Sequence, residues 1–180
     1  MKQTTIVGID YSLTSPCVCV NDGKKIMFYY MTKKKKHLGK IADNIIGEEH
    51  QEYNTPIERF TNISTWVMSK LPKSLKVYIE GYSFGSKGQA IFQIAENCGI
   101  LKYRLQEANI PYETIVPSVV KKGATGKGNA DKDMMYEAFN KETKIDLKKL
   151  FDTEKVGNPI SDIADSYFIQ KVGYENSNSN

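Results

Sequence analysis

Four carboxylic acids, Asp10, Glu80, Asp162 and Asp165, stand where apolar segments of this 180-residue chain begin or end. Hard divalent cations take converging carboxylate oxygens on rigid elements, the arrangement used in metal-dependent phosphoryl chemistry. Asp10 closes the run Thr4-Thr5-Ile6-Val7-Gly8-Ile9, and Glu80 closes Leu75-Lys76-Val77-Tyr78-Ile79. Both runs are short and rich in β-branched or aromatic residues, the pattern of buried strands. If the two strands are parallel neighbours, their end carboxylates lie roughly 5 Å apart. Like charges that close repel strongly at a sheet edge, and a bound cation is the simplest relief.

Asp162 and Asp165 are three residues apart and so share one helix face. Asn158-Pro159-Ile160-Ser161-Asp162 supplies a cap, a proline at the first helical position and an acid in the first turn. Ile160, Ala164, Phe168 and Val172 mark a different stripe that faces the core. Each acid taken singly has a plain explanation as a solvated or capping residue, and the helix dipole alone accounts for Asp162. As a set placed by two strand ends and one helix face, they favour a metal site.

The elements that must position these acids follow from periodicity. Three strands open the chain over residues 4–10, 16–21 and 25–31, the last two joined through Asn21-Asp22-Gly23. Residues 32–54 are polar and begin near four consecutive lysines, Lys33 to Lys36. A solvated loop is the first reading and a DNA-contacting patch a compatible one, with Ile41, Ile45 and Ile46 hinting at a helical turn. Thr55-Pro56-Ile57-Glu58 starts a helix with a capping box, and Ile57, Phe60, Ile63, Val67 and Leu71 follow at helical spacing.

After Glu80 comes an aromatic, glycine-rich loop, residues 81–88, then a helix with Ile91, Ile94, Cys98, Leu101 and Leu105 on one face. Tyr112 to Val116 is a fifth strand, and residues 117–142 are a basic, glycine-punctuated segment leading into a helix with Met134, Met135, Ala138 and Phe139. A meander followed by crossover units predicts an α/β fold: a five-stranded mixed sheet with helices on its faces. Residues 1–173 read as one domain, and residues 174–180 as a polar, disordered tail.

Composition narrows the function. The formal charge is +4, with 25 Lys plus Arg against 21 Asp plus Glu. With four acids masked by metal the remaining surface is clearly basic, which points to a polyanionic partner. No run approaches the ~18 apolar residues of a membrane span, and the N-terminus lacks a signal pattern, so a cytosolic chain is expected. Cys17, Cys19 and Cys98 read as buried free thiols, and His37 and His50 have no zinc-ligand spacing around them.

The order of Gly8-Ile9-Asp10, Ile79-Glu80, a basic loop and Ser161-Asp162-Ile163-Ala164-Asp165 resembles RuvC-type Holliday junction resolvases, nucleases of the RNase H-like superfamily. The most specific part is Val120 to Lys132, similar to that family's lysine, Thr/Val-Gly-x-Gly, Ala-x-Lys pattern, and the Lys121 to Lys132 spacing agrees. The resemblance covers roughly residues 4–172. It implies an RNase H-like five-stranded mixed sheet (an antiparallel meander plus parallel strands), a homodimer with two active sites, and Mg²⁺-dependent cutting of branched DNA. By that match Asp10, Glu80, Asp162 and Asp165 are the metal ligands, with Lys121 and Lys132 beside the scissile phosphate. The family places an aromatic just after its Glu; here Ser83 occupies that position between Tyr82 and Phe84. Residues 33–54 and Lys141 to Lys155 are longer than the family pattern, departures that suit a phage or other viral relative, in a bacterial cytoplasm or an infected host cell.

The expected reaction is in-line hydrolysis of a DNA phosphodiester with two Mg²⁺ ions about 4 Å apart, Mn²⁺ being able to substitute. Lys132, at a helix start, would offset charge in the transition state. Lys121, Lys122 and Lys127 would neutralise phosphates while the glycines of 123–128 let backbone amides approach. Tyr82 and Phe84 would either stack on unpaired bases at a branch point or cap the sheet edge. No nucleotide cofactor is expected: Gly126-Lys127 is not a Walker loop, and a sugar-kinase or actin-like ATPase needs two such domains. The alternatives are a broader branched-DNA or flap endonuclease of the same fold, and a non-catalytic DNA-binding module.

Overall fold

A computed structural model describes residues 4–73, 75–82 and 90–178 of the chain. The strands are β1 (Thr5–Asp10), β2 (Cys17–Asn21), β3 (Ile26–Thr32), β4 (Gly39–Ala42), β5 (Ile45–Glu49), β6 (Leu75–Glu80) and β7 (Tyr112–Ile115). The helices are α1 (Pro56–Lys70), α2 (Ala90–Glu107), α3 (Pro117–Thr125), α4 (Lys132–Thr143), α5 (Leu147–Leu150) and α6 (Ile160–Asn178). One mixed sheet runs in the order β4-β5-β3-β2-β1-β6-β7. The β1-β2-β3 meander is antiparallel, and β6 and β7 continue parallel to β1.

The sheet thus has seven described strands where the sequence predicts five. The extra pair is β4 and β5, antiparallel to one another, with β5 parallel to β3. Ile41, Ile45 and Ile46, read as a helical turn, are strand residues, and Ile45 is buried beneath the sheet's edge.

Alternation along β1 builds two cores. Val7 and Ile9 join Val77, Ile79, Ile63, Val67 and Leu101 beneath α1 and α2. Ile6 faces the other way, with Cys19, Tyr78, Phe139 and Phe168, beneath α4 and α6. α1 starts as the capping pattern requires: Thr55 Oγ1 accepts from the Glu58 amide at 3.1 Å, and Glu58 Oε2 accepts from the Asn54 amide at 2.7 Å. Within α1, Ile57 lies outside the core stripe at 59% exposure, and Trp66 is buried instead. Ile91 is likewise exposed on α2.

α6 is the central helix, buried from Ile160 through Gly173 on most of its circumference. It starts at Ile160, so Pro159 precedes the first helical residue rather than occupying it. It also continues through Asn178, where the sequence reading expects a disordered tail from Tyr174. The Tyr78 hydroxyl donates to Ser177 Oγ (3.1 Å), and that hydroxyl donates to Glu113 Oε2 (2.8 Å). No helix among the described residues is long and apolar enough to cross a membrane.

Candidate active site

Backbone register places the first two acids. Ile9 pairs with Ile79 across the parallel β1/β6 ladder, so Asp10 and Glu80 follow side by side at the carboxyl ends of adjacent strands. The spacing between neighbouring strands is about 4.8 Å, as the sequence pattern anticipates. The second two acids arrive on α6, which lies against β1 at Gly8. A Cβ on Gly8 would sit 2.2 Å from the Ser166 carbonyl oxygen and 2.5 Å from the Gln170 amide nitrogen. Only glycine lets strand and helix approach that closely, and the approach sets Asp162 and Asp165 beside the strand ends.

The charges of the other three acids reach Asp10, and those of Glu80 and Asp162 reach Asp165. Burial raises the pKa of Asp10 well above the ordinary carboxylate value, and the charges of Asp162, Asp165 and Glu80 push it the same way. Asp165 is pushed up to about 7 by burial, then by Glu80 and Asp162. Asp162 is pushed up to about 6, chiefly by burial, and Glu80 is raised by burial too. Cations oppose these shifts: Lys132 acts on Asp10, Asp162 and Asp165, and Lys121 acts on Glu80 and Asp165.

Asp162 is almost fully enclosed, and its Oδ2 has no hydrogen-bond partner among the described residues. Ser15 Oγ is also buried and outside strict hydrogen-bonding geometry, yet it lies near enough to favour the ionised form of Asp162. Asp162 Oδ1 receives a long hydrogen bond, 3.4 Å, from the Ser161 hydroxyl. Among the described residues, no three His, Cys, Asp or Glu side chains already close around one point as a metal-ligand set. The site therefore fits a hard cation in donor type, in charge and in its orphaned buried oxygen, without being a finished coordination sphere.

The basic segment differs from its sequence reading. Pro117–Thr125 is helix α3, not a loop, and Lys121 is presented from it toward Glu80. Gly123 serves packing rather than phosphate approach: a Cβ there would meet Val172 Cγ2 at 2.5 Å. Gly126 caps α3 with φ of 80°, and Asp131 caps α4 by accepting from the Met134 amide at 2.9 Å. Lys132 is thus the first residue of α4, at the helix start the sequence predicts. Lys122 and Lys127 are exposed on the same segment, away from any described contact with the acids.

Tyr82 is 45% exposed, with the Lys102 ammonium 5.1 Å from its ring centre. Phe84 lies outside the described residues. Sequence reasoning passes over Ser15 and Lys34, both of which act on Asp162. The Lys33 to Lys36 run was the available signal for Lys34. A cavity of about 850 Å³, lined by Asp131, Glu137 and Lys141 among others, holds none of the four acids.

No protein-family model matches the chain. Over 120 residues, 62% of this chain and 71% of the relative, it is 28% identical to a crossover junction endodeoxyribonuclease RuvC of Brachyspira hyodysenteriae. The structure of Thermus thermophilus RuvC aligns over 97% of both chains with a TM-score of 0.59 at 14% identity. RuvC of T. thermophilus in complex with a Holliday junction substrate aligns over 98% of this chain and 96% of that one, with a TM-score of 0.65 at 16% identity. The chain thus has the α/β fold of these RuvC structures, and its sequence is similar to a RuvC protein over 120 residues.

Proposed function

We propose that the chain is a structure-selective endodeoxyribonuclease that resolves four-way DNA junctions by metal-dependent phosphodiester hydrolysis. The observation that carries this reading is the convergence of Asp10, Glu80, Asp162 and Asp165 from two adjacent strand ends and one helix, with Lys121 and Lys132 alongside. A pure DNA-binding module gains nothing from burying four acids beside a polyanion, because each one repels the phosphate it must approach. The likeness to RuvC proteins in sequence and fold supports the same substrate class.

Asp10, Glu80, Asp162 and Asp165 would hold Mg²⁺, in a pair of ions with Asp10 between the other acids. When bound, such ions supply an activated water nucleophile and stabilise the leaving oxygen. The chain's own residues do the rest. Lys132 and Lys121 set positive charge beside the acids, where a scissile phosphate gains negative charge in the transition state. The Ser15 hydroxyl and the Ser161 hydroxyl favour the ionised form of Asp162. Tyr82, exposed at the end of β6, offers a ring for an unstacked base.

Incubation with a synthetic immobile four-way junction and Mg²⁺ tests the proposal. Paired, symmetric nicks whose products ligate are the expected result. Scattered cuts on flaps and forks, with the four-way junction left whole, would refute it in favour of a broader branched-DNA nuclease.

A further inference from the structure

Two segments more than a hundred residues apart in the chain meet in space. A 3₁₀ turn, Lys35–His37, follows β3, and the stretch from Phe151 to Ile160 leads into α6. Between them lies a cavity of about 480 Å³, lined by Lys34, Lys36, His37, Thr153 and Lys155 among others, with no acidic side chain in its wall.

The cavity is built rather than incidental. The Tyr30 hydroxyl donates to the His37 carbonyl, and Phe151 packs edge-on to both rings, 5.9 Å from Tyr30 and 5.1 Å from His37. Gly47 on β5 leaves space for that turn, since a Cβ there would lie 2.1 Å from the His37 carbonyl oxygen. His37 is 7% exposed, its ring enclosed in the wall, and neither ring nitrogen has a hydrogen-bond partner among the described residues. Lys36 and Lys155 line a wall that offers ammonium donors to an anion and, among the described residues, no carboxylate to compete with it. Lys34 ties the cavity to the acids: its ammonium donates to the Asn158 carbonyl at 3.2 Å and also favours the ionised form of Asp162.

We propose that this cavity binds a backbone phosphate of the bound DNA, with Lys36 and Lys155 as its donors. The proposal rests on the nuclease reading above and adds to it a docking point made by the turn after β3 and the stretch leading into α6. Being a phosphate contact, it strengthens junction binding without reading base sequence.

The test is junction affinity measured across salt concentrations for Lys36→Ala/Lys155→Ala. The control, Lys24→Ala/Lys76→Ala, makes the same charge change at the opposite ends of the strands, near the Ile6 pairing. Lys36, Lys155 and Lys24 are exposed and Lys76 is half-buried, so circular dichroism and melting of both variants are checked against wild type first. The cavity variant is expected to bind the junction roughly tenfold more weakly. Its dependence of log Kd on log salt should be shallower by about 1–2 than the control's. A cavity variant indistinguishable from the control, in a protein whose wild type binds junctions, overturns this inference alone. A wild type that binds no branched DNA overturns the nuclease reading and this one together.

Discussion

Asp165 bears the clearest consequence of crowding acids together. Its folded-state pKa of about 7, against an ordinary 3.8, means the folded chain keeps a proton that the unfolded chain has released between about pH 4 and pH 7. The unfolding free energy contributed by this group therefore falls as pH climbs through that window. In EDTA, the melting temperature of Asp165→Asn should rise relative to wild type steadily as pH climbs from about 4 to about 7, and level off above that. Equal pH slopes for the two proteins would show that Asp165 is not held against its neighbours. Added Mg²⁺ should raise the wild-type melting temperature most at pH 8, since cations select ionised carboxylates. Asp10 lies at the focus of the other three charges, so Asp10→Asn should keep junction binding while cleavage drops roughly a hundredfold or more. Undiminished cutting by that variant would remove Asp10 from the machinery.

Elements hold these residues through close approaches that tolerate no added atom. At Gly8, β1 and α6 meet backbone to backbone, so Gly8→Ala cannot be relieved by a side-chain rotation. It should destabilise the chain by about 1–3 kcal/mol or more, and it should slow cleavage further by shifting Asp162 and Asp165 from Asp10. Chemical denaturation and single-turnover cutting below the melting range measure the two effects separately, and a fully stable, fully active Gly8→Ala would contradict the packing described. Much of this was legible from residues alone. The strand runs ending in Asp10 and Glu80, the Thr55 capping box and the α6 stripe are local patterns with one reading each. Two regions were not. Ile41, Ile45 and Ile46 fit a helical turn or an edge strand equally well, and β3, distant in sequence, decides for strand. Gly123 signals a loop by its type, but the Val172 methyl groups on α6 require a glycine inside a helix. Lys34 read as a solvated lysine because its neighbours Asn158 and Asp162 lie more than a hundred residues away.

One site per chain cuts one strand, so resolving a four-way junction symmetrically requires two chains acting within one bound complex. A homodimer provides that by placing two identical sites on a two-fold axis that matches the junction's own symmetry. Mixed dimers of wild type and Asp10→Asn separate paired cutting from single cutting. On a supercoiled plasmid bearing an extruded cruciform, wild-type dimers should make both nicks before dissociating and yield linear DNA. A mixed dimer can make only one. That nick releases the supercoiling that held the cruciform open, the arms are reabsorbed, and the product stops at the open circle. The linear share of the cut product should therefore fall in proportion to the share of mixed dimers among those able to cut, while wild-type cleavage at the same site density stays linear. Mixed dimers that linearise as well as wild type would mean that a single site visits both strands, and the chain would then act as a monomeric branch nuclease.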